Sequence, residues 1–193
     1  MGLKLFLSGA VTFEGPSEPS KSLGGYPSST EVQNGQIGNL FPNISLYTIQ
    51  LNRAEVRAIV LYNDGATTLT GLDTWLIYPQ SEDSDSDYDN IAEFELGYAV
   101  LESDGCGGLR FPSSVTNPNA LPYNVTFNAN AVGQANALSL PDLEADQYLG
   151  LWIKRVLKDE TQTPLSNDEL EAILDEEVVL SIVEDITLQF IWD

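Results

Sequence analysis

The sequence predicts an all-β chain, an antiparallel β-sandwich of Ig-like or jelly-roll-like form, with a long irregular N-terminal segment and one short late helix. Three observations point that way. Short runs of alternating apolar and polar residues recur along the chain, separated by Gly, Pro, Asn and Asp. The stretch 15–38 is dense in Gly, Pro and Ser and has no periodicity. Only 166–177 carries a helix signature, Ser166 standing three residues before Glu169 at capping-box spacing. No repeat, heptad or linker interrupts the chain, so residues 1–193 are expected to form one domain with an extended arm at about 15–44.

Each element has its own justification. Leu3, Leu5 and Leu7 alternate with Lys4 and Phe6, which reads as a first strand. The run is short and broken by Ser8 and Gly9, unlike a secretory leader. The arm comes next, and Leu40, Phe41 and Ile44 at its end are placed to plug it into a core.

In RAEVRAIVLYN, Val56, Ala58, Val60 and Tyr62 share one face and Arg57, Ile59 and Leu61 the other. In LTGLDTWLIYP, Leu72, Thr74, Leu76 and Tyr78 oppose Asp73, Trp75 and Ile77. Apolar residues on both faces predict strands deep in a sheet or covered by a neighbouring subunit. Asn63-Asp64-Gly65 between the two runs predicts an antiparallel hairpin.

Ala92, Phe94, Leu96, Tyr98 and Val100 are expected to face inward, with Glu93 and Glu95 toward water. Further strands are expected at 123–127, 137–140, 148–157 and 186–192. In the last, Ile186, Leu188, Phe190 and Trp192 make the inward set.

Composition excludes several function classes. Eight Lys and Arg stand against 29 Asp and Glu, a net charge of -21, which repels nucleic-acid phosphates and anionic lipid. No nucleic-acid or membrane partner is expected. Histidine is absent, so no Ser-His-Asp triad, Cys-His dyad or histidine-bearing zinc site is available. The single Cys106 permits no intrachain disulfide and reads as an incidental thiol in a glycine-rich loop.

Three sets of residues are candidate sites. Asp83, Asp85, Asp87 and Asp89 imitate the start of a calcium loop. The required glycine turn and closing glutamate are missing in both registers, so a solvated acidic loop is the better reading. Glu93 and Glu95 could serve as a glycosidase pair only if held across a cleft, and two acids on one strand face do not satisfy that. Trp75, Trp152, Tyr148 and Tyr26 could stack on sugar rings, but core or subunit packing is the better reading. No catalytic residue, metal ligand or cofactor site is expected.

Several short motifs carry a resemblance. Ser8-Gly9 after a first strand, Leu23-Gly24-Gly25 with Ser28, Asn39-Leu40-Phe41 and Ile44 come first. The run from Arg57 to Asn63 ahead of Thr68-Leu69-Thr70-Gly71-Leu72, the run from Leu151 to Val156, and the closing strand to Trp192 complete the set. Together they resemble a family of tailed-bacteriophage virion structural proteins, from which the loop at 81–90 and the helix near 166–177 depart. The resemblance implies a non-enzymatic virion component, most concretely a capsid decoration or cement protein binding the major capsid protein or other virion proteins. A tail, neck or baseplate component is the alternative within that class; a carbohydrate-binding module for host attachment is the alternative outside it. A homo-oligomer is compatible with either. The expected contact residues are Leu23, Tyr26, Leu40, Phe41, Trp75 and Trp152, with the arm lying along neighbouring subunits.

Overall fold

The spine of the molecule is Tyr148–Leu157, a strand paired along both edges over almost its whole length. The computed structural model describes residues 2–32, 40–41, 44–45, 54–77, 92–128, 131–157, 179–180 and 187–193. Its strands are β1 (Leu3–Leu7), β2 (Ile44–Ser45), β3 (Ala54–Asn63), β4 (Asp73–Ile77), β5 (Ala92–Val100) and β6 (Glu102–Ser103). They continue with β7 (Leu109–Arg110), β8 (Leu138–Ser139), β9 (Tyr148–Leu157), β10 (Val179–Leu180) and β11 (Thr187–Ile191). Two 3-10 turns, Pro19–Lys21 and Gln134–Asn136, accompany them. The protein is all-β, and its strand pairs are antiparallel. The predicted helix at 166–177 and the acidic run at 81–90 lie outside the described residues.

A major sheet of four strands runs β1-β3-β9-β5, and a minor sheet of three runs β11-β4-β8. Two short pairs, β10-β2 and β6-β7, complete the set. Register fixes the faces of the major sheet. Ile59 lies opposite Leu7 and Leu151, and Leu61 opposite Leu5 and Leu149. Over this stretch the first face carries aliphatic side chains, and toward Glu55, Arg57 and Arg155 it turns charged. The aliphatic side chains form one buried cluster with Leu72 and Leu76 at β4, Leu188 of β11, and Leu140 and Leu143 after β8. Each such side chain taken from water contributes roughly 1.5–3 kcal/mol.

The second face is also buried. Val56, Ala58, Val60 and Trp152 cluster with Ala99, Leu101 and Phe111, with Val115, Val125 and Phe127 packed around them. Here the cover is irregular chain rather than a sheet. Phe111 meets Trp152 edge-on at 5.5 Å between ring centroids. The ring also lies against the backbone of Gly150, where a Cβ would stand 2.2 Å from Phe111 Cε1. Two-sided apolar strands thus have their explanation inside one chain: β3 and β9 are central, and both faces are covered by their own polypeptide.

Several expectations need correction. The hairpin at 62–79 does not form: β3 lies in the major sheet and β4 in the minor one. The intervening residues 64–72 carry the chain between sheets. Asn63 Nδ2 donates to Thr67 O at 2.8 Å and Leu143 O at 2.9 Å, and Leu69 and Leu72 are buried. The turn signal was real, but burying those leucines outweighs closing a local ladder.

Residues 123–127 are irregular, not a strand, although Val125 and Phe127 pack on the second face. Tyr98 and Val100 were expected inside and are exposed, whereas Ala99 and Leu101 are buried on the second face. Toward that end of β5 the first face loses its cover while the second keeps Phe111. Leu188 and Phe190 do face inward, whereas Trp192 follows the strand end and is exposed. Ile186 lies outside the described residues.

Candidate functional site

The described part of the arm, residues 15–32, is hydrogen-bonded to its own sheet. Leu7 N–H donates to Thr30 O and Val32 N–H to Leu5 O, each at 2.8 Å, so the arm completes the open edge of β1. Where β1 ends, residues 22–24 take over beside β3. Ala58 N–H donates to Ser22 O at 2.7 Å. Ala58 O accepts the hydroxyls of Ser8 at 2.8 Å and Ser22 at 2.5 Å. Ser8 Oγ in turn accepts from Gly24 N–H at 3.1 Å. Both serines are fully buried, and this network satisfies a strand edge that would otherwise carry bare polar groups. Gly24 has φ +86, and a Cβ there would stand 2.7 Å from Ser113 O. The Ser- and Gly-rich composition of the arm serves this close approach.

The six expected contact residues separate into three groups. Leu40, Phe41 and Trp152 are buried and take no part in any surface. Leu23 and Tyr26 are half-buried and tied to the body, Leu23 O accepting from Val115 N–H and Tyr26 O from Ala10 N–H. Tyr26 also donates its hydroxyl to Asp104, which raises the phenol above its ordinary range. Only Trp75, half-buried on the outer side of β4, sits on an open sheet face.

Phe41 does more than fill space. The Arg57 guanidinium stands 5.4 Å from its ring centroid and that of Arg155 4.8 Å, while Phe94 meets it edge-on at 5.7 Å. Arg57 Nε donates to Leu40 O at 2.7 Å and its NH1 to Val56 O at 2.8 Å. Arg155 donates to the Glu55 carboxylate. All three ionised side chains are buried. Burial lowers both arginines from their usual value, and the Glu55 charge opposes that shift. Sequence reasoning assigned Leu40 and Phe41 to a plug but missed its charged socket. The signal was there in Glu55, Arg57 and Arg155, three of the four charged residues in the largely apolar β3 and β9.

At the other end of the second face, Tyr62 and Tyr148 stack at 4.5 Å, and Phe13 meets Tyr148 edge-on at 5.7 Å. Tyr62 donates its hydroxyl to Asp146 at 3.1 Å and Tyr148 to Glu14 at 2.7 Å. Both carboxylates stand on residues in the left-handed backbone region, at φ 59 and φ 56. Burial, then the Glu14 bond, pushes the Tyr148 phenol well up. These rings are occupied by one another, which leaves little open face for a sugar.

Glu95, a member of the acid pair, is bound by Lys154 at 3.0 Å, and that ammonium sits 5.6 Å from the Phe127 centroid. Both acids are half-buried on the second face rather than facing water. Asp104 is committed to its own turn: its carboxylate accepts from Cys106 N–H at 2.7 Å and Gly108 N–H at 2.9 Å, and these bonds lower its pKa. Cys106 is exposed on that turn. Among the described residues no three His, Cys, Asp or Glu groups are gathered to hold a metal, and no helix is long and apolar enough to cross a membrane. Compared with protein-family models, curated proteins and solved structures, the chain matches none.

Proposed function

We propose that this chain is a non-enzymatic structural protein of a bacteriophage virion, in particular a capsid decoration protein that binds major capsid subunits. In this reading the major and minor sheets pack as a β-sandwich that acts through its shape. The observation that carries it is how the conspicuous side chains are spent. Trp152, Phe41, Arg57, Arg155 and Glu55 are all buried and engaged in packing or ion pairing. A body with its polar edges closed by its own arm is stiff, and stiffness serves a protein that reinforces a shell by repeated contacts, each multiplied through avidity. The motif resemblance supplies the virion context.

In this reading the attachment surface lies away from the described arm, whose residues 15–32 and 40–41 are bonded to or buried in the body. The carbohydrate-binding alternative has less support, because Trp152 is buried and Tyr148 is stacked on Tyr62.

The test is the composition of the parent particle. Gradient-purified virions should contain this chain in a fixed ratio to the major capsid protein, and heads made without it should rupture at lower temperature until the purified chain is added back. Particles without the chain would overturn the proposal. A few copies per particle would shift it to the tail, neck or baseplate.

A further inference from the structure

Among the described residues, the minor sheet has one buried face and one open face, and the open one carries an apolar stripe among polar side chains. Leu72, Thr74 and Leu76 point inward and are wholly buried, as is Leu188 across from Leu76. The opposite side of β4 shows Asp73, Trp75 and Ile77, with Ile77 42% exposed. Register sets Gln189 beside Trp75 and Ile191 beside Asp73, with Ile191 45% exposed. Cross-strand neighbours stand about 5 Å apart and diagonal ones about 7–8 Å, so Ile77, Trp75 and Ile191 form a continuous stripe. Trp192, 40% exposed, follows the strand end.

Charge is distributed unevenly around this stripe. The described cations are Lys4, Lys21, Arg57, Arg110, Lys154 and Arg155, all on the major sheet, the arm or β7. Among the described residues, β4, β8, β11 and the segments joining them to their neighbours carry no Lys or Arg. Asp73 lies on the face, and Asp193 follows Trp192, its carboxylate near Gly71. The open face is therefore an apolar centre with a carboxylate rim, on a chain of net charge -21.

We infer that the outer face of β4 and β11 is the docking surface for a basic partner protein, one presenting aliphatic side chains ringed by Lys or Arg. Charge decides between occupants. A second copy would bring another -21 to the same place, and its identical face would set carboxylate against carboxylate. A cationic rim instead pairs with Asp73 and Asp193 while the aliphatic centre covers Trp75 and Ile77, the arrangement of an apolar core inside a polar border. This inference rests on the virion reading, in which the partner is a shell protein, and supplies the surface that the buried Leu40, Phe41 and Trp152 do not.

Heads of the parent virus assembled without this chain are the probe, and binding of purified variants to them is measured by co-sedimentation. Ile77→Lys places a like charge within the apolar stripe and should weaken binding by roughly tenfold or more, one methylene-rich contact and one repulsion together. Gln189→Lys, which changes an outward polar side chain and leaves the core alone, should weaken it several-fold, roughly. Val11→Lys alters a residue 91% exposed elsewhere and should bind as the parent does. Binding should also fall as salt is raised.

If the unaltered chain binds heads and both face variants bind equally well, the surface assignment is wrong while the virion reading stands. If the unaltered chain binds no heads, the capsid-decoration reading fails and takes this inference with it. A concentration-dependent dimer abolished by Gln189→Lys would make a second copy the occupant and overturn the basic partner.

Discussion

On one face of the major sheet, Ile59, Leu61, Leu151 and Ile153 meet the leucines of another sheet; on the other, Val56, Ala58, Val60 and Trp152 meet irregular chain. Burial is equally complete on the two sides, since all eight residues are fully inaccessible. The means differ. A covering sheet brings its own hydrogen-bond ladder, so alternation of apolar residues is nearly all the sequence must supply. A covering loop brings backbone groups with no ladder of their own. The second face therefore needs particular residues at particular points: Ser8 and Ser22 to satisfy Ala58, Gly150 to admit Phe111, and Gly24 to pass Ser113. Loop-covered faces are specified residue by residue, whereas sheet-covered faces are specified by pattern.

Neighbouring positions of β9 test that contrast most strongly. Trp152→Ala should cost about 3–5 kcal/mol and Leu151→Ala about 2–5 kcal/mol, read from denaturant midpoints at unchanged slope. A Trp152 variant of near-parental stability would mean that the loops close over the gap, and that the second face is looser than its burial implies.

Glu55→Gln attacks the charged socket at the end of the first face. It leaves Arg57 and Arg155 buried around Phe41 without that carboxylate, and about 3–5 kcal/mol should be lost. A small loss would show that the arginines' remaining contacts hold them without the Glu55 charge.

Ser22→Ala removes one of two hydroxyls on Ala58 O and should cost about 1–3 kcal/mol. The informative readout is amide exchange: protection should fall at Ala58 and Gly24, whose N–H groups lie in this network, and persist in β9. Uniform loss of protection would mean that the arm is inseparable from the global fold.

Tyr148→Phe has the smallest effect and a pH signature. The folded state holds the Tyr148 proton more tightly than the unfolded chain does. Its contribution is therefore present below the ordinary phenol value of about 10 and is lost as pH rises from there toward the higher folded value. Alkaline melts should show a decline in stability starting near that value, shallower in Tyr148→Phe; identical slopes would remove Tyr148 as the cause.

Much of the fold was legible because strand periodicity is a local property. Alternation in 3–7, 54–63, 73–77, 92–100 and 148–157 marked the long strands, and it also assigned Val56, Ala58 and Val60 to one face and Ile59 and Leu61 to the other. The short pairs β6-β7 and β10-β2 were not legible, since two residues carry no period. At the candidate surface, alternation put Trp75 and Ile77 on one side of β4, yet nothing local said that this side would be left open. Nor did anything local say that Trp152, Leu40 and Phe41, grouped with Trp75 as contact residues, would be buried. Exposure of a large apolar side chain depends on what packs against it, not on its neighbours in the chain.

By itself, the sequence determined the β character of the chain, the sidedness of its long strands, the absence of histidine chemistry and the acidic field. All of these follow from residue identity and nearest-neighbour spacing. Only the tertiary structure decided which strands pair, that the arm folds back onto β1 and β3, that Phe41 sits against two arginines, and that, among the described residues, β4 and β11 keep one face open. Those outcomes rest on contacts between residues far apart in the chain, where many arrangements satisfy the same local pattern and the total burial and hydrogen bonding of the whole molecule selects one.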